Sequence, residues 1–450
     1  MKKKIQNFDL LYAIFKPYVN FTFAQFYDKI VVEGKENIPK EKTVILAPNH
    51  QNALMDALAV LMTQPGQPVF LARADIFKKK IIAKILIWLN ILPVYRQRDG
   101  RSELDKNKEI FEQAIDVLRD HVTLCLMPEG AQSFKRTLLP LVKGMFRIAF
   151  SAQEELKDSE IVIVPVGIDY EDYVKPSKNL IIRFGAPISI NDYMTQYNEH
   201  QAKALNALRD DLSEKIGALI QNIRSEKYYA TFYDMSLMAD SLLCQCTPNS
   251  KKNLLTLLKA RQEISAALDH EENENPKKIE ELARHYSDYS SCLKKLRLKD
   301  DVFEKPKKLP QLLLKSLLLI IGFPLFLAGR VANFIPSFIS VKVAQNLKED
   351  DFRSSFHLVL WLLLYLIYYS IVIVVLSFVF HSFLIALGIA LSAMFLGRMS
   401  LFYQVATNNI LNVWRLRFIQ KKNSADFNEM KKQREYIINT VLFMVKKYFH

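Results

Sequence analysis

Residues 354–397 contain no Asp, Glu, Lys or Arg and are dense in Leu, Ile, Val, Phe and Tyr. A bilayer-spanning helix needs about 20 apolar residues. This stretch therefore suffices for two spans with a tight turn near Phe380-His381-Ser382, expected at about 356–379 and 382–397. A single core helix of that length lies far outside what globular domains use. Upstream, residues 317–328 are also apolar, but Gly322-Phe323-Pro324 interrupts them and Lys315-Ser316 precedes them. A third span reaching about residue 338 and a re-entrant or kinked segment over 309–338 both suit that pattern. Beyond residue 397 come Arg398, Arg415, Arg417, Lys421, Lys422, Lys431, Lys432 and Arg434, which by the positive-inside rule belong in the cytoplasm. The Lys-rich regions before the hairpin belong there too. An even number of crossings satisfies both, which favours a hairpin plus a re-entrant segment.

The first 200 residues follow another pattern. Apolar, strand-like runs at 43–46, 68–71, 123–127, 161–166 and 179–184 alternate with helical-period segments at 75–90, 102–119 and 141–156. This is the pattern of an α/β unit, a largely buried sheet flanked by helices. From 199 to 309 the chain turns helical and charged, with an amphipathic candidate at 210–224 and a solvated break at 270–278. At the N-terminus, Asp9, Lys16, Pro17 and Asn20 break the apolar run and no small-residue cleavage site follows, so no cleavable signal peptide is expected. The same segment suits a helix lying in the membrane interface and, equally, an amphipathic helix covering the core.

A net charge of +14 with a pI near 9.3 first suggests nucleic acid. The lysines, however, surround very apolar segments, so a basic surface facing anionic lipid and the positive-inside rule account for them together, and no nucleic-acid partner is expected. The four cysteines, Cys125, Cys244, Cys246 and Cys292, form no C-x-x-C pair, and Cys244-x-Cys246 without a histidine partner is a poor zinc site. Reduced thiols are expected, in keeping with a site on the cytoplasmic side.

The chemistry is written in Ala47-Pro48-Asn49-His50-Gln51-Asn52-Ala53-Leu54-Met55-Asp56. Histidine is the side chain best suited to take a proton near neutral pH, and a carboxylate behind it fixes the tautomer and stabilises the imidazolium. A histidine after a buried strand also serves as an ordinary hydrogen-bonded residue, and Asp56 also suits the first turn of a helix. Three further blocks follow in order: Pro93-Val94-Tyr95-Arg96-Gln97-Arg98-Asp99-Gly100, Leu126-Met127-Pro128-Glu129-Gly130-Ala131-Gln132-Ser133 and Ile163-Val164-Pro165-Val166-Gly167. His50, the Pro93–Gly100 segment and Pro128–Ser133 each follow an apolar run, so all three can meet along one sheet edge, where open α/β sheets bind ligands.

Those four blocks together resemble the glycerophospholipid acyltransferase family, with its N-H-x4-D and F-P-E-G motifs, over roughly residues 31–190. Two departures stand out. Five residues separate His50 from Asp56, a spacing similar to that of fungal glycerol-3-phosphate acyltransferases, and Gln132 stands where many lysophosphatidate acyltransferases have arginine. Neither spacing puts the pair on one helical face, so His50 is expected in the turn before the helix.

The resemblance implies a membrane O-acyltransferase that moves a fatty acyl group from an acyl-CoA or acyl-carrier-protein thioester to glycerol-3-phosphate or lysophosphatidate. No bound cofactor, no metal and no acyl-enzyme are expected. His50 would be the general base and Asp56 its orienting carboxylate. Arg96, with Arg98 beside it, would hold the acceptor phosphate in a bidentate fork. Glu129, Gly130 and Ser133 would belong to the acceptor site, with Arg136 or Lys143 replacing the charge missing at Gln132. Arg73 falls within the family's region between the first two blocks, and a salt bridge to Asp75 or a helix-start role explains it as well. Segment 81–92 reads as a core helix or the lining of an acyl channel, and Pro165 and Gly167 as shapers of a strand end. The expected organisation is an interfacial helix (1–30), a catalytic domain (31–198), a charged helical region (199–308), a membrane region (309–412) and a basic cytoplasmic tail (413–450). Two other classes stay open: a non-catalytic lipid-binding or scaffold protein with the same fold, and a hydrolase using the pair on water.

Overall fold

The computed structural model describes residues 4–95, 106–246, 252–304, 308–346, 352–422 and 425–449. The chain divides into two compact units, residues 1–220 with 347–358 and residues 221–346 with 359–450.

In chain order the first unit runs α1 (Leu10–Phe26), β1 (Lys29–Glu33), β2 (Thr43–Pro48), α2 (Leu54–Thr63), β3 (Val69–Arg73), α3 (Lys80–Trp88) and β4 (Ile91–Val94). It continues with α4 (Lys106–Arg119), β5 (Leu124–Cys125), α5 (Gly144–Glu155), β6 (Ile161–Tyr170), β7 (Asn179–Phe184), β8 (Ile188–Ser189), α6 (Asn191–Glu199) and α7 (Gln201–Gly217). The strands form one sheet in the order β1-β7-β6-β2-β5-β3-β4, with β8 also on β6. From β6 to β4 every neighbouring pair on that path is parallel, so Pro48, Arg73, Val94, Cys125 and Tyr170 end their strands on one edge. β7 runs antiparallel to β6 and carries β1 as a parallel edge. β2 and β6 are buried along their whole length, as expected of central strands covered on both faces and visible as unbroken apolar runs.

Helices cover the sheet through apolar stripes. α5 turns Met145, Phe146, Ile148, Ala149, Phe150 and Ala152 inward, and α7 contributes Leu205, Leu208, Leu212 and Ile216 to the same core. The sheet unit thus takes in α7, beyond the expected boundary at 198, because the 3-4-4 spacing of those residues gives the helix a face to bury. Segment 81–92 differs more sharply from expectation. α3 has no buried residue and leaves Ile81, Ile82, Ile85 and Ile87 exposed beside Lys78, Lys79, Lys80 and Lys84, so it is not a core helix. α1 is capped by Asp9 and contacts α3 through Trp88, yet leaves Leu10, Leu11, Ile14 and Phe21 exposed.

Gly167 lies within β6, opposite the end of α7. A Cβ there would come 2.4 Å from the Leu219 Cβ and 3.0 Å from its backbone. Overpacking of this kind costs about 1–3 kcal/mol. The Gly167→Ala variant is expected to melt several degrees below wild type in a thermal unfolding scan, and an unchanged melting temperature would contradict this packing.

The second unit contains α8 (Tyr229–Cys246), α9 (Leu254–Glu274), α10 (Pro276–Leu296), the short α11 (Asp301–Glu304), α12 (Leu309–Ala332), α13 (Phe334–Gln345), most of α14 (Arg353–Phe380), α15 (Phe383–Lys422) and α16 (Ala425–Phe449). α8, α9, α10 and α16 share a core that includes Phe232, Ile264, Leu268, Ile279, Met430, Ile437, Val441 and Met444. The expected basic tail is therefore largely a packed helix, whose apolar stripe is diluted in the sequence by its lysines. Among the described residues, α12, α14 and α15 are long and apolar enough to cross a bilayer. α12 is continuous through Pro324, so the interruption seen in the sequence does not break it. It lies against α15, where a Cβ on Gly329 would meet the Leu396 carbonyl at 2.2 Å and Trp414 donates to Ser316 Oγ at 3.0 Å. α15 runs on to Lys422, well past the expected end of the second span at 397, since nothing between them breaks a helix.

Candidate active site

β2 ends at Pro48, and Asn49 fastens the chain that follows. Its buried side chain donates to the Ile168 carbonyl at 3.1 Å and accepts from the Ile168 amide at 2.7 Å. His50 therefore leaves the sheet edge beside the end of β6. The loop 51–53 then turns into α2, with Ala53 at φ +46°, a left-handed value that costs an L-residue energy. This turn absorbs the five-residue spacing. It brings Asp56, in the first turn of α2, back to His50, so that Nδ1 lies 2.9 Å from Asp56 Oδ2.

Asp56 is fully buried and its oxygens are well occupied. Oδ2 also accepts the Gln51 and Asn52 amides at 2.8 and 2.7 Å, and Oδ1 accepts the Tyr170 hydroxyl at 2.7 Å. Buried carboxylates need such donors. With Nδ1 engaged, the His50 nitrogen left for chemistry is Nε2, on a side chain that is 17% exposed. Removing the Tyr170 hydroxyl takes away one hydrogen bond to a charged group, worth about 1.5 kcal/mol. Tyr170→Phe is expected to lower kcat about tenfold with a folded protein; an unchanged kcat would remove Tyr170 from the site.

Glu129 follows β5 and is also buried. Its Oε1 accepts the His50 amide at 2.6 Å and its Oε2 the Leu139 amide at 2.7 Å. Its observed contacts thus fix the His50 backbone and the 131–139 loop. Burial pushes its carboxyl up to about 7, against the pull of those two amides and of His50, with Asp56 adding a smaller upward push. Gly130 takes φ +61°, and a Cβ there would meet Val142 at 3.1 Å, so the turn requires glycine twice over. Ser133 donates its amide to the His50 carbonyl at 3.3 Å.

Residues 29–169 match the family model described as Acyltransferase. The chain is 22% identical over 253 residues to glycerol-3-phosphate O-acyltransferase 1 of Saccharomyces cerevisiae, covering 55% of this chain and 32% of that protein. It is 26% identical over 147 residues to 1-acyl-sn-glycerol-3-phosphate acyltransferase alpha of Homo sapiens, covering 32% of this chain and 47% of that one. Over residues 29–169 the chain is thus similar to the glycerophospholipid acyltransferases. The 1-acyl-sn-glycerol-3-phosphate acyltransferase of Borreliella burgdorferi matches at 26% identity over 42% of this chain and 72% of its own length. The chain spans about a third to a half of the first two relatives.

Within the acyltransferase domain, the basic residues expected at the phosphate separate. Arg96 and Arg98 lie outside the described residues. Arg136 is buried, with its guanidinium donating to the carbonyls of Tyr170 and Glu171 and lying 5.0 Å from the Tyr173 ring centroid. Those contacts make it a brace for the end of β6. Lys143 is exposed at the start of α5. Arg73 pairs with Asp75, Nε to Oδ1 at 3.1 Å. Asn52, Tyr170 and Tyr173 belong to the constellation without having been singled out in the sequence. The one signal was at Tyr170, a polar-tipped residue ending an apolar strand on the edge that carries His50.

Proposed function

We propose that this protein is a membrane-bound O-acyltransferase of phospholipid synthesis, transferring a fatty acyl group from a thioester to a hydroxyl of lysophosphatidate or glycerol-3-phosphate. The observation that carries this reading is the 2.9 Å pairing of His50 Nδ1 with a buried, fully engaged Asp56. An alcohol is a poor nucleophile until its proton leaves. His50 Nε2 takes that proton as the hydroxyl oxygen attacks the thioester carbonyl. The tetrahedral adduct then collapses, the C–S bond breaks, and the proton passes from the imidazolium to the departing thiolate. Asp56 stabilises the imidazolium without itself becoming protonated. The acceptor phosphate falls to Arg96 and Arg98, with acyl-CoA or acyl-carrier protein as donor.

The outward isoleucines of α3 and the apolar face of α1, bordered by Lys78, Lys79, Lys80 and Lys84, suit contact with anionic lipid. With α14 and α15 as the crossing pair, the basic residues after 397 support a catalytic domain on the cytoplasmic side.

The test is transfer of radiolabelled acyl groups from acyl-CoA and acyl-carrier protein, with glycerol-3-phosphate and lysophosphatidate supplied separately. Ester product with one acceptor supports the reading and selects the step. Release of free fatty acid without acceptor would make the protein a hydrolase. No turnover by folded protein would leave the non-catalytic lipid-binding alternative.

A further inference from the structure

The loop that joins His50 to Asp56 is held by residues about 300 positions later in the chain. α2 has no side-chain cap of its own, because Ala53 occupies the N-cap position. Ser355 Oγ instead accepts the Leu54 amide at 3.2 Å, satisfying an otherwise orphaned donor at the start of the helix that carries Asp56. Next to it, Ser354 Oγ donates to Asn52 Oδ1 at 2.5 Å. Asn52 is the hub of the loop: its amide goes to Asp56 Oδ2 and its side-chain nitrogen to the Tyr173 carbonyl at 2.9 Å. Asn52 and Ser354 are both fully buried and Ser355 nearly so, so a lost hydroxyl leaves a buried polar atom unpaired. The same helical turn seats His357 edge-on to Phe26 at 5.7 Å and buries Leu358 completely.

We propose that Ser354 and Ser355 are positioning residues for acyl transfer. The first turn of α14 sets the conformation of the 51–55 loop, including the left-handed Ala53. The productive approach of Asp56 to His50 then depends on the seating of a helix that is itself long and apolar enough to cross a bilayer. A left-handed alanine persists only where its surroundings over-determine it, and the two serines supply constraints from outside the loop. The inference rests on His50 being the base of the proposed reaction.

The experiment uses the full chain in lipid nanodiscs. Ser354→Ala and Ser355→Ala are each expected to lower kcat about tenfold with little change in KM, since small displacements at a reacting pair are costly. Ser377→Ala, whose hydroxyl bonds the Ile373 carbonyl within α14, serves as the neutral control. In a His50→Ala background, adding Ser354→Ala should lower the residual rate no further, because the serine acts through the pair. An additive loss there, or a wild-type kcat in both serine variants, would overturn the positioning role. No transfer by wild type would instead sink the functional reading. The positioning role then still has its own measurement, hydrogen exchange of the amides at 51–56, which should quicken in Ser354→Ala and Ser355→Ala but not in Ser377→Ala. Unchanged exchange would refute it.

Discussion

The His50→Ala variant is expected to lose about 10²–10⁴-fold in kcat, the usual worth of a positioned general base, while KM for both substrates stays near wild type. The reason is geometric. The imidazole ring makes one observed hydrogen bond, through Nδ1 to Asp56, whereas the loop is held by backbone amides and by Asn49 and Asn52. Removing the ring therefore takes away the base and leaves its frame standing. Asp56→Asn is the sharper companion. The asparagine oxygen can keep the Nδ1, Gln51 and Asn52 donors while its amide turns to the Tyr170 hydroxyl, which can rotate to accept. That variant should fold and still lose about 10²-fold or more, because what disappears is the charge that stabilises the imidazolium. Matching melting curves and steady-state rates for the three proteins check this. Activity near wild type in His50→Ala would remove the general base from the reading.

How much of this site the sequence disclosed follows from where its parts come from. His50 and Asp56 are six residues apart, and a strand-like run ahead of them with a helical run behind them placed both. Glu129 was found through the resemblance of its Pro-Glu-Gly block to the family motif, and the apolar run ahead of that block placed it at the same sheet edge. The partners that complete the site were out of reach for a physical reason. Tyr170 meets Asp56 across 114 residues, and Ser354 meets Asn52 across 302, inside a segment whose apolar character announced only a membrane helix. Periodicity records which face an element buries and is silent about what it touches. The same limit explains β4, four residues long and reached directly from α3, and β1, a half-buried edge strand without a continuous apolar run. It also explains α16. Phe427, Met430, Ile437, Val441 and Met444 form a helical stripe, but the lysines and arginines between them drew attention to charge.

Glu129 should set opposite pH trends for stability and activity. Its folded-state carboxyl titrates near 7, above the ordinary glutamate value of 4.5, chiefly because of burial. Between those values the Glu129 carboxyl binds more proton in the folded protein than in the unfolded chain, so its contribution to stability is fully present below about pH 4.5 and is lost as pH rises to about 7. Only the ionised form, however, offers two fully competent acceptors to the His50 and Leu139 amides. Acyl transfer should accordingly rise through the same window in which the melting temperature falls. Glu129→Gln cannot ionise, and its amide nitrogen must face one of the two backbone donors, a mismatch of about 1–3 kcal/mol. The variant is expected to melt below wild type at pH 8, to lose most of its activity because the His50 backbone is no longer fixed, and to show a flatter dependence of melting temperature on pH between 5 and 7. Parallel slopes for wild type and Glu129→Gln would mean that another group titrates there, leaving Glu129 only its role as an acceptor for the two loops.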